Sequence, residues 1–179
     1  MFKTLNTSEI EYIYNTFMVK DFPPDELKPL NLLLKMVENG LCTYYALFSG
    51  QEVLSYFGLC VKGGYALVDY LAVNPNYRGQ GIGTKTLTYL KQAAKNNIIL
   101  IECEDTAAAP NSAELSIRNR RIAFYERAGF KLCGVKSKLF GVDYLILTYP
   151  ENAKNPKEGY KTVYLSMLGK DLYNKNMIL

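Results

Sequence analysis

Arg78-Gly79-Gln80-Gly81-Ile82-Gly83 sets three glycines at alternate positions between an apolar run, Tyr65 to Val73, and a stretch of helical spacing, Thr84 to Lys95. Strand, glycine-rich turn and helix in that order constrain this chain more than any other feature. The arrangement aims unpaired backbone N–H groups and the positive end of a helix dipole at one point. Such a point suits a phosphate or pyrophosphate. A side chain at a glycine would obstruct the ligand, and some of these positions call for positive φ. The spacing is not the Gly-x-Gly-x-x-Gly of dinucleotide sites. Gly83 is followed by Thr84 before Lys85, so the Walker Gly-Lys-Ser/Thr is also absent. A turn whose glycines serve geometry alone is the competing reading.

Two motifs narrow the choice. Arg78 to Gly83, preceded by Leu71-Ala72-Val73, resembles the Arg/Gln-x-x-Gly-x-Gly/Ala pyrophosphate loop of the GNAT superfamily of N-acetyltransferases. Downstream, Phe124-Tyr125-Glu126-Arg127-Ala128-Gly129-Phe130 is similar to that superfamily's second signature, Tyr-x-x-x-Gly-Phe. The resemblance covers Tyr65 to Phe130 most closely and extends over Thr43 to Tyr149. It says nothing of the last thirty residues.

Composition agrees with one soluble globular domain. The chain has 179 residues, long enough to close a single core. A net charge of +4 with scattered lysines shows no basic stripe, which argues against a nucleic-acid partner. Arg118, Arg120, Arg121 and Arg127 cluster on one expected helix, either as a solvated face or as a contact for an anionic ligand. With no histidine, the commonest general base and the commonest metal ligand are both missing. Cys42, Cys60, Cys103 and Cys133 lack zinc-site spacing, so no metal is expected, and most read as small hydrophobes within strands. No signal core or membrane span is visible, and a reducing cytoplasm is the expected location.

In chain order, Ser8 to Asp21 has helical spacing with Thr7 or Ser8 as cap, and Phe22-Pro23-Pro24 stops it. Pro24-Asp25-Glu26-Leu27 opens a second helical stretch to about Asn39, with Leu30, Leu33, Leu34 and Val37 on one face. Pro29 either starts that helix or divides it. Strands are expected at Cys42–Phe48, Glu52–Val61 and Tyr65–Val73, a meander through Ser49-Gly50-Gln51 and Lys62-Gly63-Gly64. Ile98 to Glu104 is a buried strand joined to Tyr65–Val73 through a helix, hence its parallel neighbour. After a loop, Asp105 to Ala113, a helix from Ser116 to Ala128 ends on Gly129, and strands Leu132–Leu139 and Val142–Thr148 follow. Pro150 to Gly159 reads as a linker. Tyr160 to Tyr173 reads as an amphipathic helix, with Tyr160, Tyr164, Leu168 and Leu172 on one side. It either packs on the domain, the favoured role, or serves as a lid or dimer contact.

The expected fold is therefore α/β (α+β). It has a mixed, mostly antiparallel sheet of six to seven strands, flanking helices and a C-terminal helix, and the resemblance implies that its central parallel pair is splayed. Residues 1–149 form the acyltransferase domain, and residues 150–179 a linker and helix packed on it.

The resemblance also implies the chemistry. Acetyl-CoA would be the acyl donor, its pyrophosphate held by the N–H groups of Gly79, Gln80, Gly81 and Gly83 with Arg78 adding charge. Ile82 and Thr84 complete the loop's contacts. The Val73 backbone would bond the pantetheine arm, and the Leu71 N–H would stabilise the oxyanion. Tyr125 matches the general-acid tyrosine that protonates the leaving thiolate, against a plain role as a core aromatic. The superfamily's cofactor asparagine would fall at Arg118, so Asn119, one step round the helix, takes that contact only if the helix start shifts. Without histidine, the base falls to a carboxylate or a water relay. Glu102 and Glu104 share a strand face. Mutual repulsion and burial would raise one of them, unless Arg118 or Arg121 neutralises them. Asp69 is held in reserve. The acceptor would be a primary amine of a small molecule or peptide, engaged without a covalent enzyme intermediate. No membrane is involved, and a homodimer stays open. The alternative is a CoA-binding sensor or interaction domain without turnover.

Overall fold

A computed structural model describes residues 1–24 and 26–179. The start of the second helical stretch at Asp25 lies outside them. The described residues form two compact units, Met1–Cys60 with Val68–Lys95, and Val61–Leu67 with Asn96–Leu179.

The first unit opens with β1 (Phe2–Thr4) and α1 (Thr7–Ile13). Helix α1 runs into a π-helical segment, Tyr14–Met18, and a last turn, α2 (Val19–Asp21). The cap is Asn6, not Thr7 or Ser8. Its side chain accepts from the Glu9 N–H while the Glu9 carboxylate takes the Asn6 N–H, a reciprocal capping box. Helix α3 (Leu30–Glu38) begins directly after Pro29, which removes the ambiguity that residue raised. Its buried face centres on Leu33 and Met36. Strands β2 (Cys42–Ser49), β3 (Glu52–Lys62) and β4 (Tyr65–Val73) follow. The hydrogen-bonded order in this unit is β1-β2-β3-β4. Helix α4 (Ile82–Ala93) closes the unit, with Leu87 and Leu90 fully buried.

Cys42 and Cys60 lie directly opposite each other on β2 and β3 and are joined by a disulfide. That corrects their reading as unlinked small hydrophobes; Cys103 and Cys133 remain free. The turn register alone sets Cys42 opposite Leu59. A bulge between Leu47 and Phe48 slips the pairing by one residue and brings Cys60 across instead. Thiol titration of denatured, unreduced protein is expected to count the free thiols of Cys103 and Cys133 alone. Reaction at Cys42 and Cys60 as well would contradict the bond.

In the second unit, the first residues of β4 pair in parallel with β5 (Ile98–Glu104), Tyr65 to Leu67 matching Ile98 to Leu100. Strands β6 (Lys131–Leu139), β7 (Val142–Tyr149) and β8 (Met177–Ile178) complete the order β4-β5-β7-β6-β8. The short edge strands β1 and β8 take the number of strands beyond the expected six to seven. Helix α5 (Ser112–Arg127) starts a turn earlier than Ser116, because Asn111 caps it through the Glu114 N–H. Gly129, at φ +84, ends it as expected.

The C-terminal segment, α6 (Pro156–Asn176), is helical on either side of a break at Gly169, whose φ and ψ are not helical. It takes in the last four residues of the expected linker, Pro156 to Gly159. Tyr160, Val163, Tyr164 and Met167 are buried, but the kink turns the helix and leaves Leu172 half exposed with Tyr173 buried in its place. Helix α6 packs on β6, and β8 pairs with β6, so this segment is built into its unit. A Cβ on Gly159 would come within 2.1 Å of the Tyr65 ring, whose hydroxyl bonds the Lys154 carbonyl. Gly159→Ala is therefore expected to destabilise by about 1–3 kcal/mol, read as a lower melting temperature. An unchanged melting curve would show that Tyr65 moves aside freely.

Candidate active site

The glycine loop belongs to the first unit. At the end of β4, the Asn74 side chain donates to the Val53 carbonyl at 3.0 Å and accepts from the Asn76 N–H at 3.1 Å. This fixes a 3₁₀ turn, Pro75–Tyr77. Gly79 and Gly81 follow at φ +76 and +78, left-handed values that other residues seldom adopt. Gly81 is the N-cap of α4, which starts at Ile82, two residues before the expected Thr84. No side chain caps this end. The first-turn N–H groups, which no helix can satisfy internally, are therefore left to solvent or ligand. Gly83 lies inside that first turn without positive φ, so its conformational freedom is not used. A Cβ on Gly79 or Gly81 would meet only open space. These residues fit an anionic diphosphate: they offer converging donors, a positive dipole end and an unobstructed approach.

Arg78 is exposed, and its Nε donates to the Val73 carbonyl at 3.1 Å. The guanidinium is thus tethered at the root of the loop through one of its five N–H groups. Gln80 reaches back to the Asn76 carbonyl at 3.2 Å. Helix α4 is anchored by Thr86, whose hydroxyl donates to the Ile82 carbonyl and shares a 2.7 Å bond with Ser55.

Asp69, the reserve carboxylate, is buried in this unit. It accepts from Tyr44 at 2.5 Å and from the Lys28 ammonium at 2.6 Å. Sequence reasoning missed both partners. Lys28 is remote in sequence, and only the fold brings it to Asp69.

The second unit holds the other expected residues. Tyr125 is buried on α5 between Phe124 and Phe130, with ring centroids at 5.4 and 6.0 Å. Burial, then the neighbouring Cys103, pushes its hydroxyl well above the usual tyrosine value. The Cys103 thiol is pushed up to about 12 by burial and is inert as a nucleophile.

Of the two readings for Glu102 and Glu104, mutual repulsion or neutralisation by Arg118 or Arg121, Glu104 follows the second, and Glu102 finds partners that neither reading named. Glu102 accepts the hydroxyls of Tyr160 and Tyr164, and Tyr160 also meets Ser137 at 2.9 Å. Glu104 is ion-paired with Arg121. The strand face they share leads to two different helices, each of which supplies partners. Arg118 instead donates to the Asp105 carbonyl at 2.6 Å, while Lys136 holds the Asp105 carboxylate at 2.8 Å. The Lys136 hydrogen bond, more than any other cause, lowers the Asp105 pKa. Asn119 is exposed on the outer face of α5, beside Leu115, Ser116 and Ala123 along a shallow groove. Among the described residues, no group of histidine, cysteine and carboxylate side chains is arranged to hold a metal ion. No helix among them is long and apolar enough to cross a membrane.

The strand, glycine-rich loop and uncapped helix stand on a mixed sheet, an arrangement shared by several classes of anion-binding fold. Residues 40–132, more than half the chain, match the acetyltransferase (GNAT) domain, and the chain belongs to that family. Solved structures share the fold. A GNAT-family protein from Bacteroides thetaiotaomicron is 20% identical, covering 94% of this chain and 97% of that one, with a TM-score of 0.74. The ribosomal-protein-S18-alanine N-acetyltransferase from Escherichia coli is 18% identical, over 87% of this chain and 96% of its own, with a TM-score of 0.61. An aminoglycoside 6'-N-acetyltransferase complexed with coenzyme A is 15% identical over 83% and 95%, at 0.59. In sequence, YjbC of Bacillus subtilis, grouped by name with the acetyltransferases, is 39% identical over 67 residues. That stretch is 37% of this chain and 31% of the relative, so the match spans about a third of YjbC.

Proposed function

We propose that this protein is an N-acetyltransferase that moves an acetyl group from acetyl-CoA directly to a primary amine. The observation that carries the proposal is the uncapped N-terminus of α4 behind Gly79 and Gly81. Backbone N–H groups at this end take the diphosphate, and Arg78 adds a cation at the loop's root. Ile82, Gly83 and Thr84 form the helical turn that presents those N–H groups. Bound acetyl-CoA supplies the activated thioester.

The remaining roles extend the same proposal. The Val73 backbone holds the donor's amide arm, and the Leu71 N–H stabilises negative charge on the thioester oxygen. Tyr125 keeps its proton at neutral pH and gives it to the departing thiolate. Of the two glutamates, Glu104 is the better base, acting through water, because its partner Arg121 is a half-exposed cation that an incoming group can displace. Glu102 is committed to α6. Asn119 contributes at most an outer contact to the donor. The acceptor is a small-molecule or peptide amine, and a cytoplasmic setting is part of the reading, with the Cys42–Cys60 bond standing against it. The engagement of both glutamates also favours a second reading, a CoA sensor without turnover.

A thiol-release assay with acetyl-CoA and a panel of amines (a lysine peptide, spermidine, an aminoglycoside) separates the two. Release with one amine class is expected. Saturable acetyl-CoA binding with no release across a broad amine panel would favour the sensor.

A further inference from the structure

Tyr70 is the outlier of β4. It is a non-glycine residue at φ +52 in the middle of a strand, one residue before Leu71. A bulky side chain held there is strained and persists only where its surroundings fix it. Those surroundings are specific. The Tyr70 hydroxyl donates to the Glu26 carbonyl at 3.0 Å and accepts the Lys28 N–H at 2.7 Å. Its ring meets Phe22 at 4.9 Å between centroids and lies 4.6 Å beneath the Lys28 ammonium. The adjacent residue, Asp69, takes that ammonium at 2.6 Å and is itself held by Tyr44. Tyr14 closes the set by donating to the Lys28 carbonyl at 2.9 Å.

Regular strand geometry would set Tyr70 on the face opposite Asp69 and Leu71. The left-handed kink instead lets two consecutive residues of β4 grip one segment, Glu26 to Lys28. Burial holds the Tyr70 hydroxyl protonated, raised to about 12, so it keeps the single proton that the Glu26 bond requires.

We propose that Tyr70 is a positioning residue: it clasps the segment before α3 onto β4 and thereby fixes the orientation of the Leu71 N–H during acetyl transfer. The proposal rests on the reading of Leu71 as the oxyanion donor. Tyr70 touches neither donor nor acceptor in this role. It acts by holding one strand residue in a conformation that nothing else in the strand would enforce. It also makes the segment ahead of α3 and the transfer strand a single mechanical piece.

The test uses acetyl-CoA labelled with 13C at the carbonyl. Hydrogen bonding to the thioester oxygen lowers the carbonyl stretching frequency, so difference infrared spectra of bound donor read Leu71 directly. In Tyr70→Phe, which keeps the ring but loses both hydroxyl bonds, the affinity for acetyl-CoA is expected to stay within about twofold. The carbonyl band should return towards its free position, and thiol release with the amine panel should fall on the order of tenfold or more. A band and a rate unchanged from wild type would overturn the clasp. If Tyr70→Phe does not fold, the double variant Lys28→Met/Asp69→Asn removes the ion pair as a unit and should displace the band in the same direction. Wild-type protein that binds acetyl-CoA without any band shift would overturn the role of Leu71 and the clasp, leaving the loop assignment intact. Wild-type protein that fails to bind would overturn all three.

Discussion

Gly81→Val is expected to weaken acetyl-CoA binding by about 10²-fold or more. Gly81 sits at φ +78 as the N-cap of α4, with open space where a Cβ would stand. Two effects combine. A β-branched residue resists the left-handed conformation by roughly 1–2 kcal/mol, so the turn relaxes and the first N–H groups of α4 lose their common aim. The side chain also occupies the space through which a diphosphate approaches them. Gly50→Val provides the control. It introduces the same strain at φ +59 in the β2–β3 turn, also with open space around it. That variant should lose similar stability and keep its affinity, as calorimetric titration would show. Equal affinity losses in both variants would mean that the Gly81 effect is only unfolding.

Tyr125→Phe is expected to lower kcat by about 10²-fold with little change in KM for acetyl-CoA, in the range of a lost general acid. The ring and its contacts with Phe124 and Phe130 survive the substitution, so packing changes little. The pH profile adds an independent readout. Burial disfavours the phenolate, which places the folded-state pKa above the ordinary value near 10. Tyr125 therefore remains a proton donor throughout the neutral and mildly alkaline range, and no alkaline fall in kcat should arise from it below about pH 10. In the phenylalanine variant, the residual rate should rise with any change that makes the thiolate a better leaving group. Full activity of the variant at neutral and high pH alike would remove Tyr125 from the chemistry.

The local pattern carried much of the fold. Strands β4 and β5 could be read to the residue, because each run is bounded by a turn-forming or charged residue, Gly64 and Asn74 for β4 and Asn97 and Asp105 for β5. The parallel relation of β4 to β5 followed from the helix between them. Helix starts were less legible. Asn6 and Asn111 lie outside the apolar periodicity that signals a helix, and their capping bonds appear only once the chain turns. The Cys42–Cys60 bond was hidden by a single-residue bulge, which no turn signal announces. At the site, the glycine loop was legible because glycine spacing reflects local backbone conformation. The fate of Glu102 was not: its partners come from α6, far along the chain, and a strand spacing says nothing about which helix a face meets, whereas Arg121 on the next helix was one of two cations read beside Glu104. Lys28 and Tyr70 were invisible for the same reason, since Tyr70 follows no alternation that a strand pattern contains.

The most direct measurement is a calorimetric titration of the intact protein with acetyl-CoA, repeated at rising salt. Saturable one-to-one binding that weakens with salt is expected if the diphosphate sits at the α4 N-terminus beside Arg78. Absence of binding up to about 1 mM would contradict the loop assignment, and with it the proposed transfer.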